Sequence, residues 1–183
     1  MASPENARDR EAALYDWAGI AVRQWVLGHF PDVDNTHVLD VGAGWGKYRD
    51  LLPEYPDMDA CEIWQPYIEQ ENLGARYRQV FQVDVCDLTP ADFDDYDLVI
   101  FGDVLEHLKR PDAQWAIRRC RNAVVVVPFR YHQDEEDGNP YEKHWQDDLT
   151  PRLMRDLYPD LTEIALQWHG NRPFKGLYAK GPG

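Results

Sequence analysis

One segment constrains the fold of this chain more than any other: Val38-Leu39-Asp40-Val41-Gly42-Ala43-Gly44-Trp45-Gly46. Its first four residues are mostly apolar strand formers, and residues 45–52 can continue as a helix, so the glycines fall at a strand-to-helix junction. At such a junction a backbone without side chains lets a ligand approach closely, and the helix N-terminus offers unpaired N–H groups. The segment therefore predicts a ligand-binding turn.

The spacing of the glycines narrows the choice of ligand. A dinucleotide-binding turn requires G-x-G-x-x-G, whereas this chain has G-x-G-x-G with Lys47 where the third glycine would stand. A phosphate-binding loop would require glycine at Val41 and serine or threonine at Tyr48. The pattern D-x-G-x-G-x-G that begins at Asp40 instead resembles motif I of the class I S-adenosylmethionine (SAM)-dependent methyltransferases.

Three later elements fit the same resemblance. A strand-like run over residues 59–63 contains Glu62, about 20 residues beyond the glycines, where a nucleotide-binding unit places an acid on the ribose hydroxyls. Residues 78–85 alternate as a half-buried strand that reaches Asp84, an acid suited to the adenine amino group, with Asp87 as the alternative. The apolar run 97–103 is followed by Val104-Leu105-Glu106-His107-Leu108, which resembles the family's motif after the fourth strand.

Strands and helices alternate from residue 38 onward, which predicts an α/β fold with a parallel sheet. The resemblance implies a doubly wound, mostly parallel seven-stranded sheet with helices on both faces and an antiparallel seventh strand at its end. Strands are predicted at 37–41, 59–63, 79–83, 97–101, 122–127, 161–168 and 174–180. We expect a single domain over 1–183, with a leading helix (8–28), a cofactor-binding half (37–128), and an acceptor loop, helix and terminal hairpin (129–183).

The resemblance also implies which residues bind SAM: Asp40, Gly42, Ala43, Gly44, Glu62, Ile63, Asp84, Val85 and Asp103. Asp40 is either a cofactor contact or a cap of the turn. Trp64 and Tyr67 follow Glu62 and either stack on adenine or pack against the protein.

His107 and His144 are the candidate catalytic residues. A histidine has an unperturbed pKa near 6.5 and can take a proton from a hydroxyl or amine as the methyl group moves. Alignment of the acceptor with the departing sulfur can also supply much of the rate without a base. His144 lies in a loop whose aromatic side chains favour a planar or apolar acceptor. The predicted substrate wall is Tyr131, His132, Tyr141, His144 and Trp145.

A metal site is the alternative interpretation of the same segment. Asp103-x-x-Glu106-His107 resembles the E-x-x-E-H cluster of the metal-dependent small-RNA 2′-O-methyltransferases and of the ubiquinone-pathway O-methyltransferases. His132 or His144 would then complete the ligand set. Asp103 departs from that pattern because it replaces the first glutamate, so the sequence favours an enzyme without a metal.

Composition limits the partners. A net charge of −14 weighs against a nucleic-acid substrate, whose binding depends on lysine and arginine. No apolar run approaches a membrane span, the N-terminus lacks a signal sequence, and three scattered cysteines form no disulfide framework, so we expect a cytoplasmic protein. The sequence predicts a SAM-dependent methyltransferase for an O or N atom of a small-molecule acceptor. The alternatives are a non-catalytic SAM-binding module and a nucleic-acid- or protein-modifying methyltransferase.

Overall fold

The fold is that of a computed structural model, which describes residues 12, 14–136 and 138–182. The strands are β1 Val38–Val41, β2 Met58–Cys61, β3 Val80–Phe81, β4 Leu98–Gly102, β5 Ala123–Pro128, β6 Thr162–His169 and β7 Arg172–Lys180. The helices are α1 Trp17–His29, α2 Lys47–Leu51, α3 Gln65–Gln70, α4 Pro90–Asp94, α5 Arg110–Arg119 and α6 Pro151–Leu157.

Within the described residues, these strands form one seven-stranded mixed sheet in the order β3-β2-β1-β4-β5-β7-β6. The five neighbouring strands β3-β2-β1-β4-β5 pair in parallel. The carboxyl ends of β1, β2 and β4 therefore meet at one edge of the sheet. Ligands of open α/β sheets bind outside this edge. The predicted seven-stranded sheet with helices is confirmed.

Helices cover both faces of the sheet because successive strand residues point to opposite sides. Val99 and Phe101 of β4 belong to a core that includes residues of α4, α5 and α6. Leu98 and Ile100 belong to a second core with residues of α1 and α2. All six residues of β5 are buried, as its continuous apolar sequence predicts.

The last two strands differ from the expectation in their position. β7 pairs antiparallel with both β5 and β6, so the antiparallel strand lies inside the sheet and β6 forms the edge. The burial of the two strands explains this order. β7 buries Leu177, Tyr178 and Ala179 beside β5, whereas β6 leaves Ile164 and Trp168 exposed.

Most predicted boundaries agree with the structure to within two residues, and the exceptions are local. β3 has two residues rather than the five predicted. The predicted helix 8–28 is shorter in the structure, where α1 begins at Trp17 because Asp16 caps it by accepting a hydrogen bond from the Gly19 amide. Residues 8–11 and 13 of that prediction lie outside the described residues. None of the described helices is both long and apolar enough to cross a membrane.

Candidate active site

The glycine turn after β1 has the backbone conformation that its sequence predicts. Gly42 and Gly44 have φ angles of +63° and +53°, a region that favours glycine. A Cβ atom on Gly42 would lie 2.7 Å from a methyl group of Val104. A Cβ atom on Gly44 would meet only the Gly42 carbonyl, at 3.9 Å, because the space beside Gly44 is open.

Glu62 lies directly after β2 and holds this turn in place. Its Oε2 accepts a hydrogen bond from the Gly44 amide and its Oε1 accepts one from the Trp64 amide, both at 2.8 Å. Glu62 is 5% exposed, and burial raises the pKa of its carboxyl although these two hydrogen bonds act in the opposite direction. The sequence predicted Glu62 as a ligand contact but did not predict its bonds to the turn.

A first cavity of about 640 Å³ opens at the carboxyl edge of the sheet, above the turn. Asp84 contributes to its wall while one carboxylate oxygen accepts a 2.9 Å bond from the Cys86 amide. Asp87 is exposed and lies outside this wall. The other predicted cofactor residues in the wall are Gly42, Gly44, Glu62, Ile63, Val85 and Asp103.

Asp40 is fully buried and borders neither cavity. Its Oδ2 accepts a 2.5 Å hydrogen bond from the Tyr77 hydroxyl. Burial raises the pKa of Asp40 to about 7, with the Tyr77 bond opposing the shift and the charge of Glu62 adding to it. The structure therefore places Asp40 behind the turn rather than on the cavity surface.

A second cavity of about 580 Å³ adjoins the first. Ala43 and the predicted wall residues Tyr131 and His144 border it, whereas Tyr141 and Trp145 border the first cavity. His132 borders neither and is instead exposed beside Asp147. Six residues border both cavities: Gly42, Gly44, Tyr67, Asp103, His107 and Glu142.

Both predicted catalytic histidines lie together. The rings of His107 and His144 meet edge to face with centroids 4.6 Å apart. Nδ1 of His144 is 2.8 Å from the Tyr131 carbonyl oxygen. Burial lowers the pKa of His107, and the neighbouring His144 lowers it further. Both effects favour the neutral form of the His107 imidazole.

Glu106 lies beside the two histidines in the short 3-10 turn Leu105–His107. Its side chain is almost fully buried, and burial followed by the charge of Asp103 raises its pKa well above the usual value. Its backbone carbonyl accepts hydrogen bonds from the amides of Trp145 and Gln146 at 2.8 and 3.0 Å. These two bonds fix the loop that carries His144 against the turn that carries His107.

Gln146 is a positioning residue that the sequence analysis missed. Its buried side chain donates to the Leu105 carbonyl at 2.7 Å and the Leu108 carbonyl at 3.1 Å. Its Oε1 accepts a 2.9 Å bond from the Tyr158 hydroxyl. No local pattern marks this glutamine, because its partners lie 12 to 41 residues away in the sequence.

Lys175 is a second residue that the sequence analysis missed. It extends from β7 into the second cavity and lies 2.8 and 2.9 Å from the two carboxylate oxygens of Asp103. Burial lowers the pKa of Lys175, but the Asp103 carboxylate outweighs this effect and the net shift is upward. Asp103 is thereby held in an ion pair.

Tyr67 and Glu142 connect the two sides of the opening. The Tyr67 hydroxyl donates a 2.9 Å bond to Glu142 Oε1, which joins α3 to the loop after β5. Beside this bond, Trp64 packs edge-on against Tyr141, with centroids 6.1 Å apart. Trp64 does not border either cavity, whereas Tyr67 borders both.

Comparison with known proteins finds a match to one family model. Residues 39–125 match the family model described as a methyltransferase domain. The central part of the chain therefore resembles a methyltransferase domain. A search of curated proteins finds no relative by sequence.

Solved structures show the same methyltransferase fold at low sequence identity. The N-terminal domain of EvdMO1 with SAH bound has a TM-score of 0.65 and 14% identity, over 98% of this chain and 97% of that chain. A SAM-dependent methyltransferase from Clostridium acetobutylicum ATCC 824 has a TM-score of 0.64 and 12% identity, over 96% and 100%. NcsB1, an O-methyltransferase from neocarzinostatin biosynthesis, has a TM-score of 0.59 and 18% identity, over 96% and 56%.

The first cavity fits SAM in its volume and in the chemistry of its wall. Its volume lies in the range of small-molecule and cofactor sites. The open space beside Gly44 admits a ligand against the backbone, and acids stand after β2 and at the start of the turn Val85–Asp87. Carboxylates of this kind accept hydrogen bonds from hydroxyl and amino groups.

Proposed function

We propose that this enzyme transfers the methyl group of SAM to an oxygen or nitrogen atom of a small-molecule acceptor. The observation that carries the proposal is the pair of adjoining cavities with a shared boundary. SAM occupies the first cavity and the acceptor occupies the second. His107 lies on the boundary, where the methyl group must pass from one ligand to the other.

The chain's own residues divide the work between cofactor and acceptor. SAM supplies a methyl group that its positive sulfonium already activates, so alignment of the two ligands can provide much of the rate. The glycine turn admits the cofactor, Glu62 accepts from the ribose hydroxyls, and Asp84 accepts from the adenine amino group. His107 and His144 border the acceptor cavity and lie close to the reacting atom of the acceptor.

The size and chemistry of the second cavity support a small acceptor. A volume near 580 Å³ suits a small ligand, and Trp45, Tyr131 and Phe174 give its wall a strongly aromatic character. The net charge of −14 opposes binding of a nucleic-acid backbone. The NcsB1 structure holds SAM together with 2-hydroxy-5-methyl naphthoic acid, so the fold accommodates a planar ligand together with SAM in that protein.

Isotope labelling tests the proposed acceptor class. The purified enzyme is incubated with SAM carrying a ¹³C methyl group, in separate reactions with small-molecule, protein and RNA fractions. We expect labelled methyl groups in a small molecule, bound to oxygen or nitrogen, and no labelling by the cofactor-deficient variant Gly44→Val. Labelling confined to the protein or RNA fraction would contradict the proposal and favour a macromolecular substrate.

Glu62→Ala is expected to weaken SAM binding by about 1 to 3 kcal/mol, because charge-assisted hydrogen bonds are lost. Isothermal titration calorimetry measures the change, and Glu69→Ala, at an exposed glutamate of α3, serves as the control. Hydrogen exchange at the Gly44 amide reports separately on loosening of the turn. Undiminished affinity in Glu62→Ala would place ribose recognition elsewhere.

The choice between Asp84 and Asp87 for the adenine contact is tested by a matched pair. Asp84→Ala is expected to weaken SAM binding by about 1.5 to 3 kcal/mol, the usual range for a hydrogen bond to a charged group. Asp87→Ala is expected to leave the affinity unchanged, since Asp87 lies outside the cavity wall. The reverse pattern in calorimetry would assign the contact to Asp87.

A further inference from the structure

Glu106, His107 and His144 form a cluster at the edge of the second cavity. Each offers one ligand atom, and these atoms lie within 4.8 Å of one another. We propose that the cluster binds one divalent transition-metal ion, and that the two histidines act on the acceptor through this ion.

The hydrogen bonding of His144 leaves a nitrogen available to a metal. Its Nδ1 is 2.8 Å from the Tyr131 carbonyl oxygen, which can only accept a hydrogen bond. Nδ1 therefore carries the proton, and Nε2 of the neutral ring has a free lone pair. Metal-ligating histidines commonly donate their other ring N–H to a carbonyl or carboxylate in this way, which fixes the tautomer and the ring orientation.

The other two side chains each bury a polar atom that no described residue satisfies. Nδ1 of His107 and Oε2 of Glu106 are both inaccessible to solvent and have no hydrogen-bond partner among the described residues. Buried polar atoms are nearly always paired, because an unsatisfied one is costly. A cation held by Glu106, His107 and His144, whose ligand atoms lie within 4.8 Å of one another, would give such buried atoms a partner.

The ligand types select the class of ion. Two imidazoles and one carboxylate suit zinc, cobalt, iron or manganese, whereas magnesium and calcium prefer oxygen ligands. Three protein ligands leave further coordination positions open, as in catalytic metal sites. All three side chains border the second cavity, so an acceptor hydroxyl or amine can take an open position. Only this last step rests on the proposed function.

The cluster does not include Asp103, which forms an ion pair with Lys175. The sequence favoured an enzyme without a metal because Asp103 replaces a glutamate. The geometry removes that objection, since His144 from the distant loop provides the third ligand. His132, the other histidine that the sequence analysis considered, is exposed and pairs with Asp147.

Titration of the metal-free protein with Co²⁺ tests the proposal without any methyl transfer. We expect one equivalent to bind with a visible absorption band, and Zn²⁺ to displace it. His144→Ala and Glu106→Gln are expected to lower Co²⁺ affinity by at least about 10- to 100-fold. The matched control His132→Ala removes an exposed histidine of the same loop and is expected to bind Co²⁺ as the wild type does.

Thermal melting shows whether each variant folds. If His144→Ala does not fold, the Co²⁺ affinity of Glu106→Gln decides the result. Absence of Co²⁺ binding by the wild type, or unchanged affinity in the folded variants, would overturn the metal site. Calorimetry with SAM and no metal separates this outcome from failure of the proposed function. If the wild type binds SAM but not Co²⁺, only the metal site is rejected. If the wild type does not bind SAM, the cofactor assignment is rejected.

Discussion

Gly44→Val is expected to abolish SAM binding while the chain remains folded. Gly44 has a positive φ and faces open space in the first cavity, so a valine side chain would project into the volume in which we propose that SAM binds. The strain of a β-branched residue in this conformation costs about 1 to 3 kcal/mol. That cost is smaller than the typical stability of a domain, about 5 to 15 kcal/mol.

Gly170→Val provides a matched control for this experiment. Gly170 has a φ of +59° in the turn between β6 and β7, and nothing lies within 4 Å of a Cβ atom there. A valine at position 170 therefore imposes similar backbone strain, but away from both cavities. We expect similar decreases in melting temperature for the two variants, with calorimetric SAM binding lost only in Gly44→Val. Wild-type affinity in a folded Gly44→Val variant would contradict the cofactor assignment.

His107→Ala is expected to lower kcat by about 10²- to 10⁴-fold, the range for removal of a group that acts on the transferred proton or its oxygen. His107 follows β4 by a few residues and borders both cavities, so it lies between the proposed sites of SAM and the acceptor. Steady-state kinetics with the identified acceptor measure the effect, and His132→Ala serves as the control. SAM affinity measured by calorimetry shows whether the cofactor site remains intact.

Removal of metal from the wild type distinguishes the ways in which His107 can act. If the ion is required, a chelator is expected to lower kcat as much as His107→Ala does, and added Co²⁺ or Zn²⁺ restores it. A chelator-treated enzyme that stays active while His107→Ala does not would indicate a general base. Near-normal turnover by His107→Ala would leave alignment of the two ligands as the source of the rate.

The parallel part of the fold was predictable because its signals are local. The apolar runs of β1, β4 and β5 mark buried strands, and the glycines mark the turn that follows β1. The position of β7 was not predictable from its own residues. Whether a hairpin adds its first or second strand to a sheet depends on which one buries more apolar surface against β5, and that comparison requires the assembled fold.

The candidate site was predictable to the extent that its residues belong to motifs. Gly42, Glu62 and Asp84 follow strands whose carboxyl ends converge, so their proximity follows from topology. The bond from Tyr77 to Asp40 and the ion pair of Lys175 with Asp103 join residues 37 and 72 positions apart. Pairings at that separation arise from packing of the whole chain, and neither residue type nor spacing reveals them.

The bonds from Glu62 to the Gly44 and Trp64 amides have a consequence for the thermodynamics of ligand recognition. They hold the turn in its conformation before any ligand arrives, so the entropy of ordering this backbone is lost when the chain folds rather than when SAM binds. In the proposed site, affinity for SAM is therefore coupled to the local stability of this edge of the sheet. Substitutions that loosen β2 or the Gly44 turn should weaken SAM binding even where they touch no part of the ligand.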